Sequence, residues 1–187
     1  MKIIGLSGTN GSGKDTVAHL LEEKYGYLFA DATKMLGDEL TKRGLAHERA
    51  NKAAVSAEWR RQYGMGVIVD KAVELFKTGD YIGLIVGSLR HPGEVDRVHD
   101  LGGKVIWVDA DQMIRFDRIS RNDRGRVEDK KTFEQFVAEE EQEMTQSGDA
   151  ATLNMGAVKE RADIFLVNDN EIKDFEQAAE QKLGLIR

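Results

Sequence analysis

Cysteine is absent from the chain, so neither a disulfide nor thiolate chemistry contributes to its fold or its activity. A reducing compartment fits that absence. Proline occurs once, at Pro92. No Ser/Gly-rich tract, single-sign charge block or internal repeat divides the chain, and the expectation is one domain over 1–187. No apolar run approaches the roughly 18 residues of a membrane span. The opening Met1-Lys2-Ile3-Ile4-Gly5-Leu6 lacks the pattern of an export signal. There is no basic excess either: 27 Lys and Arg stand against 33 Asp and Glu, a net charge of −6. A surface built to neutralise nucleic-acid phosphates normally carries the opposite sign. The expectation is a soluble cytoplasmic protein that engages neither nucleic acid nor membrane, as a monomer or small homo-oligomer. Four His residues (His19, His47, His91, His99) show no ligand-like spacing.

What is present suffices for a packed core, with 41% apolar and 32% charged residues. Short apolar runs fall at residues 3–6, 27–29, 81–86, 104–108 and 164–167. Between them, Val17, Leu20, Leu21 and Tyr25 share one helical face, as do Val69, Val73 and Phe76. Continuous apolar strands suit a sheet covered on both faces, and intervening helices suit parallel crossovers. The predicted fold is α/β: a three-layer sandwich around a five-stranded parallel sheet. The core is expected over 1–32, 78–120 and 160–187. Helical excursions over about 33–77 and 121–148 are expected to cross the carboxyl edge of the sheet, where such folds bind ligands.

The strongest chemical signal follows the first run directly: Gly8-Thr9-Asn10-Gly11-Ser12-Gly13-Lys14, leading into a helix. Gly8 and Gly13 hold the spacing of a phosphate-binding loop, with Lys14 next. Glycines let the backbone wrap tightly and aim its N–H groups inward at the positive end of a helix. Lys14 adds a compact charge able to reach the β- and γ-phosphates of a nucleotide. The following position departs from the usual pattern, carrying Asp15 in place of Ser or Thr, with Thr16 after it. A carboxylate beside a triphosphate fits best with a divalent cation between them. Mg²⁺ with ATP is therefore the expected cofactor, with Asp15 and Thr16 as its candidate holders. A carboxylate favoured by the helix dipole is the alternative for Asp15.

The stretch Gly11-Ser12-Gly13-Lys14-Asp15-Thr16, followed by Phe29-Ala30-Asp31-Ala32-Thr33-Lys34, resembles the nucleoside monophosphate kinase group of P-loop proteins, in particular phage-type deoxynucleoside monophosphate kinases. Leu89-Arg90-His91-Pro92-Gly93-Glu94-Val95 and Leu101-Gly102-Gly103-Lys104-Val105-Ile106 look similar to that group too. Arg90 to Val95, Thr132 to Val137 and Ala162 to Asp169 also resemble dephospho-CoA kinase and its archaeal relatives. The resemblance implies transfer of the ATP γ-phosphoryl to a phosphorylated small molecule, such as a nucleoside or deoxynucleoside monophosphate. A dephospho-CoA-type kinase and a nucleotide-binding switch or slow ATPase remain open beside it.

The resemblance also implies roles for particular residues. Asn10, Gly11 and Ser12 would hold ATP together with Gly8, Gly13, Lys14, Asp15 and Thr16, and Asn168 would lie by its base, with a strand-end turn as the alternative for Asn168. Asp31 would orient the acceptor, although Asp31 or Thr33 could equally cap the next helix. Arg90 would grip the acceptor phosphate. Apart from the resemblance, Arg60 or Arg61 is a candidate second contact because guanidiniums bind phosphate bidentately, with a solvated surface as the alternative. Arg118 and Arg121 would head an arginine-rich lid that also holds Arg124 and Arg126; a salt-bridged helix surface is the alternative. A guanidinium closing over the transferred group is worth about 10³–10⁵ in rate. Gly87 departs from the family, whose members usually place an Asp at that strand end. Glu139, Glu140, Glu141 and Glu143 read as a solvated helix face.

Overall fold

The computed structural model describes residues 2–121, 131–145 and 148–186. Five strands form one parallel sheet in the order β2-β3-β1-β4-β5. They are β1 (Lys2–Gly8), β2 (Tyr27–Asp31), β3 (Gly83–Gly87), β4 (Lys104–Asp109) and β5 (Ile164–Val167). Around them lie α1 (Lys14–Tyr25), α2 (Ala32–Arg43), α3 (Arg49–Tyr63), α4 (Val67–Phe76), α5 (Pro92–Asp100), α6 (Gln112–Arg121), α7 (Phe133–Met144), α8 (Met155–Glu160) and α9 (Ile172–Lys182). Each expected strand is present, and so is the predicted three-layer arrangement.

The strands alternate between two cores. Leu84, Val86, Val105 and Trp107 join the cluster beneath α2, α3, α4, α5 and α8. Ile85, Ile106, Val108 and Leu166 point the other way, into the cluster with Val17 and Leu21 of α1 and Phe175 of α9. Side chains on successive strand residues face opposite ways, so a run of apolar residues fills both layers. β3 starts at Gly83, two residues later than the apolar run suggests. Its neighbours begin at that level, with Lys2 and Tyr27 both paired to Gly83. Tyr81 and Ile82 therefore have no ladder to join and remain exposed.

Register sets the geometry of the functional edge. Leu6 of β1 and Asp31 of β2 both pair with Gly87 of β3, and Gly8 pairs with Val108 of β4. The loops leaving β1, β2 and β3 thus start side by side. Gly87 has a packing reason: a Cβ there would stand 2.4 Å from the Phe29 ring of β2. An acidic residue at this strand end would require that ring to move.

A buried ion pair joins α3 to the first turn of α5. Arg60 and Glu94 have side chains only 4% and 1% exposed. Arg60 Nε and Nη2 donate to Glu94 Oε1 at 3.2 and 2.7 Å, and Nη1 donates to the Ala151 carbonyl at 3.0 Å. The other oxygen, Oε2, accepts from the backbone N–H groups of Arg90 and His91 at 2.8 and 3.1 Å. His91 caps α5, its Nδ1 accepting from the Gly93 N–H at 3.0 Å. Arg60→Met would strand Glu94 as an unpaired buried charge. It is expected to cost about 3–5 kcal/mol in urea unfolding, and Arg60→Met with Glu94→Leu should recover part of that loss. Equal stability of Arg60→Met and the native protein would remove the pair from the account of the fold.

Candidate functional site

The glycine loop wraps between the end of β1 and the start of α1. Gly8 has φ 151°, and a Cβ would sit 2.1 Å from the Val108 carbonyl oxygen. Gly13, the residue preceding α1, has φ 83°, and a Cβ would sit 2.3 Å from Asn168 Nδ2. Both positions need positive φ and the absence of a side chain. The Thr9 N–H donates to the Val108 carbonyl and the Ser12 N–H to the Thr9 carbonyl, each at 3.3 Å. Lys14 opens α1, with Asp15 in its first turn.

Behind the loop, Asn168 donates its amide to the Ser12 carbonyl at 2.9 Å. Arg118 Nη2 in turn donates to the Asn168 carbonyl at 2.9 Å. Ser12 Oγ, Asn168 Oδ1 and Arg118 Nη1 are buried without a hydrogen-bond partner among the described residues. Arg115 braces the same region, although nothing in the sequence distinguished it from its neighbouring arginines. It is 3% exposed and donates to the carbonyls of Ala110 at 2.8 Å and Asn10 at 3.3 Å, and its guanidinium grips Glu140 of α7. Burial of a guanidinium demands such partners, so Arg115 ties the loop to β4 and α7.

In front of the loop lies a cavity of about 740 Å³. It brings Asn10, Lys14, Asp15, Asp31, Arg60 and Arg90 to one space. Arg61 is not among the lining residues and pairs instead with Asp149. Thr16, Asn168, Arg118 and Arg121 do not line it either. Arg121 pairs with Asp117 on the exposed face of α6. Arg124 and Arg126 lie outside the described residues. Asp31 accepts the Thr33 N–H at 2.9 Å and so caps α2. Arg60 reaches the wall of the cavity while already engaged with Glu94.

Arg90 is fixed more tightly than its sequence position suggests. Its N–H donates to Glu94, and its carbonyl accepts the Asn154 N–H at 2.9 Å. Leu89, just before it, is tied to β1: its N–H donates to Leu6, and its carbonyl accepts Ser7 Oγ at 2.7 Å. Ser88 takes φ 63°, the left-handed region that a side chain rarely adopts. The α3 wall adds Arg49 and Lys52, which the sequence reading had not singled out. Three of the four glutamates on the acidic face of α7 are engaged: Glu139, Glu140 and Glu143 pair with Lys131, Arg115 and Arg49, while Glu141 is exposed as expected.

Residues 4–146 match the AAA_18 family of AAA domains. The chain belongs to that AAA-domain family. A UPF0200 protein of Pyrobaculum aerophilum is 28% identical, the alignment covering 100% of this chain and 97% of that one. A UPF0200 protein of Methanothermobacter thermautotrophicus is 27% identical over 98% of this chain and 90% of the relative. Among solved structures, the shikimate kinase of Bacteroides thetaiotaomicron superposes with a TM-score of 0.62 at 14% identity, covering 97% and 98% of the two chains. A gluconokinase of Sinorhizobium meliloti gives 0.57 at 12% identity, covering 98% and 92%. At these identities the likeness establishes a shared fold. This AAA domain is thus built on the five-stranded α/β frame that P-loop kinases share.

In this AAA domain β4, like β2, ends on an acidic residue. Asp109 accepts Thr9 Oγ1 at 2.8 Å, Trp107 Nε1 at 3.3 Å and the Ala110 N–H at 3.0 Å, with Lys159 at 3.4 Å. Desolvation pushes its carboxyl up, but those hydrogen bonds and the Lys159 charge outweigh it and hold Asp109 below the usual carboxylate range. A carboxyl depressed in the folded state stabilises above its unfolded value of about 3.9, and that contribution is lost as pH falls through the folded value. Asp109→Asn should therefore be less stable than the native protein at pH 7, by about 1–2 kcal/mol. The gap should close as pH drops below 4 in paired urea titrations; a pH-independent gap would contradict this account.

Proposed function

We propose that the chain is an ATP-dependent phosphotransferase that moves the γ-phosphoryl of ATP to a nucleoside or deoxynucleoside monophosphate. One observation carries this reading: a single cavity is lined by Asn10 of the glycine loop, Lys14 just after it, and Arg90 with Asp31 from the neighbouring strand ends. A loop that only held a nucleotide would need no second cation across an open space. The fold shared with shikimate kinase and gluconokinase supports transfer to a small acceptor.

In the proposed reaction an oxygen of the acceptor phosphate attacks the γ-phosphorus in line. The bond from that phosphorus to the β–γ bridging oxygen breaks, and ADP leaves with the electron pair. Little covalent work falls to the protein, so catalysis is positioning and charge stabilisation. Loop N–H groups and the α1 N-terminus hold the donor phosphates, and Lys14 balances charge on the transferred group. Arg90, pinned at both its N–H and its carbonyl, orients the acceptor phosphate without reorganising. Arg118, held on the Asn168 carbonyl behind the loop, would act from the donor side. Arg121 would have to leave Asp117 to take part. Helices α2 to α4 would form the acceptor-binding wall.

The residues present fit Mg²⁺. This ion takes one or two carboxylates and completes its shell with phosphates and waters, and Asp15 and Asp31 both line the cavity beside Lys14. Among the described residues no group of three or more His and carboxylates converges, as a dedicated protein cage would require. Bound with ATP, Mg²⁺ would neutralise charge on the phosphate oxygens.

A coupled ADP-release assay over ribo- and deoxyribonucleoside monophosphates and dephospho-CoA tests the reading. Release should be stimulated by a monophosphate; stimulation by dephospho-CoA alone, or by nothing, overturns it. Lys14→Ala should lower kcat by about 10²–10³-fold, the scale of losing one preorganised donor. Asp15→Ala should raise the Mg²⁺ concentration needed for half-maximal turnover, and an unchanged Mg²⁺ titration would remove Asp15 from the metal site.

A further inference from the structure

Two arginines from distant parts of the chain share one carboxylate at the cavity wall. Arg49 opens α3, and Arg90 follows β3, yet both pair with Glu143 near the end of α7, Arg49 through Nη2 and Arg90 through Nη1, the latter at 3.2 Å. Both arginines line the main cavity. Glu143 does not; it lies in a small recess behind them, beside Thr9, Asn10 and Met155. The side chains of Arg49 and Arg90 are 36% and 33% exposed, while Glu143 is 19% exposed. The carboxylate is thus the more enclosed member, and the two guanidiniums are the groups presented to the open space.

Two guanidiniums brought close together repel each other unless an anion lies between or behind them. A carboxylate has two oxygens and can engage both at once. Here Glu143 Oε1 takes Arg49 and Oε2 takes Arg90. The anchor itself is built into the fold. Phe133 and Phe136 of α7 pack edge-on and tilted against Phe116 of α6, at 5.4 and 5.8 Å between ring centroids. Glu140 of the same helix is gripped by the buried Arg115. Glu139 adds a second carboxylate to Arg49 and Lys131. Around this point three cations (Arg49, Arg90 and Lys131) meet the carboxylates of Glu139 and Glu143, and all three cations line the cavity.

We propose that Arg49 and Arg90 form a single two-pronged anion clamp, taking the phosphate of the acceptor, and that Glu143 is the positioning residue that aligns them. This rests on the phosphotransferase reading for the identity of the anion as an acceptor phosphate. The clamp joins α3 to the loop after β3 through α7, so a phosphate seated on it contacts both sides of the cavity. Glu143 touches neither substrate nor reacting atoms; it acts through the two arginines.

The test follows the side-chain Nε–H resonances of Arg49 and Arg90 by ¹⁵N NMR during titration with inorganic phosphate. A non-hydrolysable ATP analogue is kept at saturation so that the glycine loop is already filled. Both resonances should shift with one common dissociation constant. Glu143→Gln should weaken phosphate binding by about tenfold, the worth of one charge-assisted contact, and should split the two responses into different constants. The melting temperature and the affinity for the ATP analogue should stay as in the native protein, which a general loss of packing would not allow. In an Arg49→Gln background, Glu143→Gln should have little further effect.

Tighter phosphate binding by Glu143→Gln would make Glu143 a competing anion and overturn the proposal. So would separate constants in the native protein, or a response at one arginine only. The native titration is decisive even if the variant fails to fold. A common constant in a protein that phosphorylates no monophosphate would leave the clamp standing and sink the phosphotransferase reading; active transfer with no response at Arg49 would do the reverse.

Discussion

A parallel sheet delivers the carboxyl ends of its strands to one edge, and the register of this one brings Leu6, Asp31 and Gly87 level across three neighbouring strands. The glycine loop, the cap of α2 and the segment carrying Arg90 all leave from that line. Each loop starts from a hydrogen-bonded ladder with apolar clusters on both sides, so its first residues are held where the strand ends put them. Loops displayed by such a scaffold can be polar and strained without unfolding the frame that carries them. The glycine loop and the left-handed Ser88 are two places at this edge where the frame holds such backbone.

Charge is managed by the same economy. The site gathers several guanidiniums within a small volume, and four of them are matched by carboxylates from other elements: Arg60 by Glu94, Arg115 by Glu140, Arg90 and Arg49 by Glu143. Burial decides what each pair does. Arg60 and Glu94 are almost wholly enclosed and bind parts of the fold together. Arg90 is about a third exposed, so its guanidinium keeps open surface toward the cavity. The same residue type serves as structural tie or as ligand-facing cation according to how much of its fork the protein itself consumes.

The strand-end carboxylate shows how an alternative arrangement is accommodated. Phe29 packs across the end of β3 at Gly87, where an acidic side chain would collide with its ring. The carboxylate found beside the glycine loop is Asp109, one strand over on the other flank of β1, bound to Thr9 of the loop. It is occupied by four donors and works as a brace. The cavity-facing carboxylates are Asp15 and Asp31, which enter from the loop and from β2.

Sequence alone determined the frame and the glycine loop, because both are written in local pattern. Five apolar runs separated by amphipathic stretches dictate a parallel sheet, and glycines at fixed spacing before a lysine dictate a tight turn at a helix start. Arg90 was legible for the same reason, as a charged residue just past a strand. Tertiary structure decided which of the remaining arginines face the cavity. Arg60 and Arg61 are adjacent in sequence, yet one is enclosed with Glu94 and the other sits outside with Asp149. The glutamates of α7 read as a solvated face because nothing nearby in sequence shows that Arg49, Arg90 and Arg115 pack against it. Pairings between residues some 25 to 94 positions apart carry no local signature. They arise only when packing brings opposite charges out of water together, where an unmatched one would be too costly to keep.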